Sequence, residues 1–185
     1  YGLTNMSSKR LHIHLIEAGP RILPALTERI AVSAKRELLK LGVNVREQTQ
    51  VKEATEQGFI TKDDEHINAD IMVWAAGVKA PDFIKDLGVF ELTRNNQIQV
   101  NEFLQSTVDE SIFVLGDCCA FTQEDGKLVP PRAQSAHQMA LCVEKNLIAT
   151  LKQQPLCSFK YSDHGSLVNL SRYSTVGNLM GNLTS

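Results

Sequence analysis

LHIHLIEAGPRILPALTERIAVSAKRELLKLGVNVRE, residues 11–47, decides the fold class, because a strand, a helix and a second strand follow one another in it. Its first seven residues alternate and end in an acid, which is typical of a buried strand. A helix is predicted over 28–41, with Thr27 at the N-cap and Gly42 just after the last turn, where glycine tolerates a left-handed backbone. VNVRE, residues 43–47, predicts the second strand. This order indicates an α/β protein.

The next thirty residues predict a small antiparallel layer and then a central strand. The polar alternation of QVKEATEQGFITKDDEHINAD, residues 50–70, predicts short antiparallel strands with turns at 57–58 and 63–64. DIMVWAAG, residues 70–77, is a continuous apolar run ending in glycine, as in a parallel strand buried on both faces. Parallel central strands, an antiparallel hairpin layer and helices together predict the latter part of a Rossmann-like α/β unit.

A change of composition at APDF, residues 80–83, predicts a domain boundary. Beyond it, NQIQVN (96–101) predicts a short strand and SIFVLGD (111–117) a buried one. A helix is predicted over 132–152, ending before Pro155, and the remainder alternates like two antiparallel strands. The predicted segments are 1–80, 81–155 and 156–185.

Composition argues against several classes of function. The 185 residues are 43% hydrophobic and 22% charged, as in a soluble globular protein. A net charge of -2 without a basic block gives no reason to expect a nucleic-acid partner. The longest apolar run, residues 71–78, is much shorter than the roughly 18–20 residues of a membrane span. The four cysteines and five histidines show no metal-binding spacing, so we predict reduced cysteines and no metal.

Three predicted strand ends carry groups suited to a ligand. Glu17 ends the first strand, where an acid can accept hydrogen bonds from adenosine ribose hydroxyls and repel a 2′-phosphate; a solvated glutamate is the alternative. Ala76 and Gly77 let a ligand lie against the backbone, or allow close packing. Gly116 and Asp117 present a carboxylate suited to sugar or ribityl hydroxyls, or an N-cap for the next segment.

The glycine-rich phosphate loop that should accompany Glu17 lies about 20 residues upstream of such an acid. The chain has no GxGxxG, and position 17 leaves no room for one. We therefore expect the phosphate loop to precede Tyr1, with this chain beginning partway through a nucleotide domain.

PPRAQSAHQMA, residues 130–140, places Gln134 and Gln138 on one face at the start of the predicted long helix. An isolated QxxxQ usually indicates an exposed polar face. His137 lies about 100° away from that face and is expected to be a packed or surface histidine.

Five motifs in order carry a resemblance to a known family: IEAGPRILP, DIMVWAAGVKAPDF, IFVLGDCCA, VPPRAQSAHQMA and YSDHGSLVNLSRYSTVG. At these separations, over residues 11–183, they closely resemble the type II NADH dehydrogenases. These are non-proton-pumping NADH:quinone oxidoreductases of the two-dinucleotide-binding flavoprotein superfamily. Each motif alone is shared with many flavoprotein reductases, but AQxAxQ after Gly-Asp raises the specificity of the resemblance considerably.

The resemblance implies nucleotide contacts for five residues. Glu17 is similar to the acid that holds the NADH ribose, and Ala76 with Gly77 to the backbone platform of the nicotinamide nucleotide. Asp117 resembles the aspartate that binds the ribityl chain of FAD, with Gly116 giving it room.

The resemblance also implies contacts at the flavin ring and the quinone. Ala133 and Gln134 resemble the positions whose backbone meets the flavin ring edge and whose side chain faces the quinone, and Gln138 completes the motif one turn later. Both glutamines are catalytic candidates, because neutral amides can donate to a quinone and accept from a quinol without adding a fixed charge. The three segments would then be the second half of an NADH-binding domain, the C-terminal half of an FAD-binding domain and the start of a C-terminal region.

The cofactors implied are FAD and NAD(H), with quinone as acceptor. The parent would lie peripherally on the cytoplasmic face of the inner membrane, through C-terminal helices absent here, and a homodimer is one expected assembly. The fragment alone is expected to be soluble and inactive. Two alternatives stay open: another flavoprotein reductase, of the ferredoxin or sulfide:quinone type, and a non-catalytic nucleotide-binding module.

Overall fold

The computed structural model describes residues 11–171, 174–179 and 183–184. The helices are α1 (Glu28–Lys40), α2 (Asp82–Asp86) and α3 (Ala133–Leu151). The strands are β1 (Ile13–Ile16), β2 (Val43–Arg46), β3 (Val51–Thr55), β4 (Gly58–Thr61), β5 (His66–Asn68), β6 (Ile98–Gln99), β7 (Cys119–Ala120), β8 (Gly165–Ser171), β9 (Ser174–Leu179) and β10 (Leu183–Thr184). These elements form two compact units: residues up to Trp74 with those from His164 onward, and Ala75–Asp163.

The first unit begins with the predicted strand, helix and strand. β1 and β2 pair in parallel, from Ile13 opposite Val43 to Ile16 opposite Arg46, with α1 in the connection. The extended backbone of Thr27 precedes α1, and Gly42 follows it with a φ of 83°. Because such a φ is costly for other residues, this glycine marks the helix end that the sequence predicted.

The antiparallel layer of β3, β4 and β5 also confirms the sequence prediction. Gly58 opens β4 with a φ of 147°, and a Cβ on it would lie 2.1 Å from the carbonyl oxygen of Ile67 on β5. Only glycine permits so close an approach of two strands.

The residues after His164 form the predicted antiparallel hairpin, with β8 paired to β9 and β9 to β10. A small core joins this hairpin to α1 and the loop after β1. Its fully buried members are Ile22, Ile30, Ala34 and Val176. α1 therefore buries one face here, as its helical periodicity predicts.

The second unit is built around α3 and contains mostly loops and short pairings. β6 and β7 pair in parallel at Ile98–Cys119 and Gln99–Ala120. Leu104 and Met139 are almost completely buried, and the rings of Phe121 and Phe159 meet edge to face at 5.2 Å. The observed α3 confirms the helix predicted over 132–152.

Two of the predicted buried strands, residues 70–77 and residues 111–117, are wrong. Residues 70–77 form no strand and are largely exposed, with Ile71 84% and Trp74 64% exposed. A strand needs a neighbour to pair its backbone N–H and C=O groups, and no strand among the described residues pairs with this segment. β1 exists as predicted but its side chains are exposed rather than buried.

The strand predicted over 111–117 is replaced by a local antiparallel contact. Phe113 bridges Gln105, and the amide of Val114 donates to the carbonyl of Leu104 at 2.9 Å. The chain then turns into a short 3-10 helix, Gly116–Cys118. Residues close in sequence therefore provide backbone hydrogen bonds for this apolar segment, although its composition resembles that of a central strand.

Candidate functional site

Glu17 lies at the carboxyl end of the parallel pair. Its amide donates to the carbonyl of Arg46 at 2.8 Å, and its own carbonyl accepts from Thr49 at 3.0 Å. The half-buried carboxylate accepts the amide N–H of Gly19 at 2.7 Å through Oε1. These bonds hold the acid at the edge where α/β sheets bind ligands.

Glu47 is a second acid at this edge that sequence reasoning missed. It directly follows β2, as Glu17 follows β1. Lys35 of α1 forms a salt bridge with its carboxylate, and the amide of Ile22 donates to it at 2.9 Å. The hydrogen bond from Lys35, followed by that from Ile22, lowers the pKa of Glu47 below its usual value. The same signal, an acid ending a strand, was available in VNVRE, and this acid ties α1 to the sheet.

Ala76 and Gly77 lie in the exposed stretch that forms no strand, and both belong to the second unit. Gly77 has a φ of 82°, and a Cβ on it would meet nothing within 4 Å. The backbone here is open to solvent, which is compatible with a ligand lying against it.

The Gly116–Asp117 turn packs against the beginning of α3. The amide of Gly116 donates to the sulfur of Met139 at 3.4 Å, and a Cβ on Gly116 would lie 3.9 Å from the Cβ of Ala136. Its φ of 78° favours glycine. The Asp117 carboxylate is exposed, and its backbone carbonyl accepts a hydrogen bond from Gln97 at 2.9 Å.

The structure therefore brings Gly116 and Asp117 to the helix that begins with Ala133 and Gln134. The first turn of that helix carries amide N–H groups without partners in the helix, and hence a partial positive charge. Ser135, which is buried, donates from its hydroxyl to the carbonyl of Pro130 at 2.7 Å and fixes the entry into the helix.

Gln134 and Gln138 share a helix face, as predicted, and both contact a following segment of the chain. We call residues 156–163 the strap. Gln134 Nε2 donates to Asp163 Oδ1 at 3.3 Å. The Gln138 amide donates to the carbonyl of Ser162 and accepts from its amide, each at 2.9 Å. Arg132 Nη1 lies 3.8 Å from Asp163 Oδ2. A carboxylate, a guanidinium and two amides thus meet at the start of α3.

Two more residues continue this face at four-residue intervals. The thiol of Cys142 contacts the carbonyl of Cys157 at 3.6 Å. Asn146, which has no exposed surface, donates to the carbonyls of Cys157 and Phe103 and accepts the amide of Cys157 at 2.8 Å. The four-residue spacing was visible in the sequence, but nothing there indicated that the strap would contact all four of these side chains.

The environment of the cysteines differs from site to site. Burial, and secondarily the adjacent thiol of Cys118, raises the pKa of Cys119 to about 12. Burial and then Cys157 raise the pKa of Cys142.

Within residues 11–171 and the shorter described stretches after them, no three His, Cys, Asp or Glu side chains are grouped to bind a metal. None of the helices in that part of the chain is long and apolar enough to cross a membrane.

A model of the family described as pyridine nucleotide-disulphide oxidoreductase matches residues 4–140, well over half of the chain. The chain belongs to this family. It is 48% identical to a type II NADH:quinone oxidoreductase of Haemophilus influenzae, over 97% of this chain and 40% of that protein. An enzyme of the same name from Staphylococcus aureus is 29% identical over 95% of this chain and 44% of its own length. The resemblance to type II NADH dehydrogenases is confirmed, and the chain spans less than half of the curated relatives it matches.

Solved structures show the same fold. An NDH2 of Plasmodium falciparum in complex with NADH superposes with a TM-score of 0.81 at 18% identity, covering 94% of this chain and 51% of that one. An NAD-dependent persulfide reductase of A. fulgidus gives 0.71 at 23% identity, covering 90% and 31%. The predicted Rossmann-like α/β class, with parallel strands and an antiparallel layer, is thereby confirmed.

Proposed function

We propose that this chain is part of a type II NADH:quinone oxidoreductase, which oxidises NADH through bound FAD and reduces a membrane quinone without pumping protons. The observation that carries the proposal is the Gly116–Asp117 turn packed at the start of α3, in a chain 48% identical to such an enzyme. Because the chain spans 40% of that relative, the activity is assigned to the longer protein. The chain alone is expected to be inactive.

The first unit would hold NADH through Glu17. Its carboxylate is fixed by Gly19 at the edge of a parallel pair, where it can accept hydrogen bonds from ribose hydroxyls. Its negative charge would repel a 2′-phosphate and so favour NADH over NADPH. Ala76 and Gly77, which belong to the second unit, are proposed separately as an exposed backbone surface for the nicotinamide nucleotide, because nothing lies within 4 Å of the Cβ position of Gly77.

The second unit would hold FAD through Asp117 and the start of α3. The Asp117 carboxylate is exposed and can accept hydrogen bonds from ribityl hydroxyls, while Gly116 adds no side chain beside it. The amides near Ala133 and Gln134 would face the carbonyl edge of the ring, where their partial positive charge stabilises added negative charge. FAD supplies the two-electron chemistry between NADH and quinone.

Contact with the quinone is proposed for Gln134, with Gln138 one turn further along α3. The side-chain amide of Gln134, which donates to Asp163 Oδ1 at 3.3 Å, is a neutral donor that would donate to a quinone oxygen. Gln138 makes two bonds of 2.9 Å to Ser162 and would hold the strap beside it. Neither amide adds a fixed charge that would bias the quinone couple. Peripheral attachment to the cytoplasmic face of the membrane, through a segment outside this chain, and a homodimer complete the proposal.

Steady-state oxidation of NADH by the full-length protein tests this proposal. The rate should depend on a short-chain quinone and should exceed the rates with ferredoxin or with NADPH. Glu17→Gln should raise KM for NADH roughly 10- to 100-fold, since a charge-assisted hydrogen bond is worth about 1.5–3 kcal/mol. Equal use of NADPH by the unaltered enzyme, or oxidation that ignores quinone, would overturn the proposal and favour another reductase.

A further inference from the structure

Gln97 is a buried glutamine that holds the turn carrying Asp117. It directly precedes β6, and only 7% of its surface is exposed. Its Nε2 donates to the carbonyl of Asp117 at 2.9 Å and, less closely, to that of Cys119 at 3.5 Å. The backbone of Gln97 is itself tethered, because its carbonyl accepts the amide of Thr93 at 2.9 Å. One amide thus links a fixed strand end to the middle of the turn and to the residue that follows it.

The β6–β7 pairing at Ile98 and Cys119 anchors the residue directly after this turn, and two contacts of sulfur atoms also involve the turn. Gly116 donates to the sulfur of Met139, and the Cys118 thiol donates to the carbonyl of Leu115, each at 3.4 Å. Sulfur is a weak hydrogen-bonding atom. The bond from Gln97 is a nitrogen-to-oxygen bond from another segment, and it restrains the peptide that follows Asp117. Restraining that peptide limits the directions in which the Asp117 carboxylate can project.

We propose that Gln97 is a positioning residue that sets the Asp117 carboxylate for the hydroxyls of the flavin side chain. The inference rests on the proposed role of Asp117 in FAD binding. Gln97 acts through the turn alone and contributes no contact to the cofactor.

Gln105 provides a matched control. It is also 7% exposed, also belongs to the second unit, and its Nε2 also donates to a backbone carbonyl, that of Glu110 at 2.6 Å. That carbonyl belongs to a loop preceding the strand-like segment, not to the Asp117 turn. Replacing either glutamine by methionine removes a buried amide and leaves a side chain of similar shape. Only the replacement of Gln97 removes a hydrogen bond to the Asp117 turn.

The experiment uses the full-length flavoprotein and measures the FAD dissociation constant, the thermal midpoint of the apoprotein and the reduction potential of the bound flavin. Gln97→Met should weaken FAD binding roughly tenfold, the effect of losing one productive hydrogen bond, and should shift the potential. Gln105→Met should lower the thermal midpoint of the apoprotein about as much as Gln97→Met does. It should leave the FAD dissociation constant and the reduction potential of the bound flavin unchanged. Equal loss of FAD affinity in both variants would overturn the inference.

Asp117→Ala separates the inference from the function on which it rests. If this variant binds FAD as tightly as the unaltered protein, the proposed flavin site is wrong and the role of Gln97 falls with it. If Asp117→Ala loses affinity but Gln97→Met does not, only the inference is overturned. In the Asp117→Ala background, Gln97→Met should cause no further loss, because the two residues act in series. Gln97→Asn keeps an amide in the core but shortens its reach, so it should weaken FAD binding even if the methionine variant does not fold.

Discussion

Replacing Asn146 by leucine is expected to lower the free energy of unfolding by about 3 kcal/mol. The side chain has no exposed surface and makes three hydrogen bonds to backbone groups, to the carbonyls of Phe103 and Cys157 and from the amide of Cys157, besides a weaker one to the sulfur of Cys142. Each such bond contributes about 1 kcal/mol net. Leucine keeps the branched shape and removes all three, and the carbonyl of the half-buried Phe103 is then left without this donor.

Urea unfolding followed by far-ultraviolet circular dichroism checks this value, since α3 is the longest described helix. Glu144→Ala, at an exposed position on the same helix, is the control and should change the free energy by less than about 0.5 kcal/mol. A loss in Asn146→Leu no larger than in the control would refute the reasoning. It would mean that the strap is not fixed to α3 by this amide.

Three further outcomes are expected. Gly58→Ala should cost more than about 3 kcal/mol, because its Cβ would lie 2.1 Å from a carbonyl oxygen of β5; Gly42→Ala, with nothing within 4 Å, should lower the thermal midpoint much less. Iodoacetamide at about pH 8 should label the exposed Cys157 and spare Cys119, because burial raises the pKa of Cys119 to about 12. Mass spectrometry of the protein labelled in its native state measures this, and equal labelling of the two cysteines would contradict the expectation. Glu47 has a pKa lowered by its hydrogen bond to a lysine of α1, so its stabilising effect is present above its ordinary value of 4.5 and is lost as the pH falls through the folded-state value. Glu47→Gln should therefore flatten the acid side of the stability curve, measured by urea unfolding from about pH 3 to 6; an unchanged slope would contradict this.

Local signals predicted the two long helices well, because their ends are decided within a few residues, whereas the short α2 was not predicted. Thr27 and Gly42 bound α1, and the apolar spacing between them matches the face that it buries. The antiparallel layer was equally predictable, since Gly58 and the polar alternation around it define a close pairing of neighbouring strands.

Long-range pairing was harder to predict. Residues 70–77 have the composition of a central strand, yet composition cannot say whether another strand pairs with them, and among the described residues none does. The apolar residues of 111–117 instead pair with the nearby chain at Gln105.

The site shows the same division. Glu17, Gly116 and Asp117 could be singled out because each ends an apolar run, where ligands of α/β sheets bind. Gln97 and the strap could not, because their contacts run from an amide to backbone carbonyls distant in sequence and leave no periodic trace. Buried side-chain amides of this kind become visible only when the fold is known.

The visible absorbance spectrum of the full-length protein, recorded without oxygen before NADH, after NADH and after a soluble quinone, tests whether it carries electrons from NADH through flavin to quinone. We expect a flavin band that NADH bleaches and quinone restores. A colourless protein, or a flavin band that NADH leaves unchanged, would contradict it.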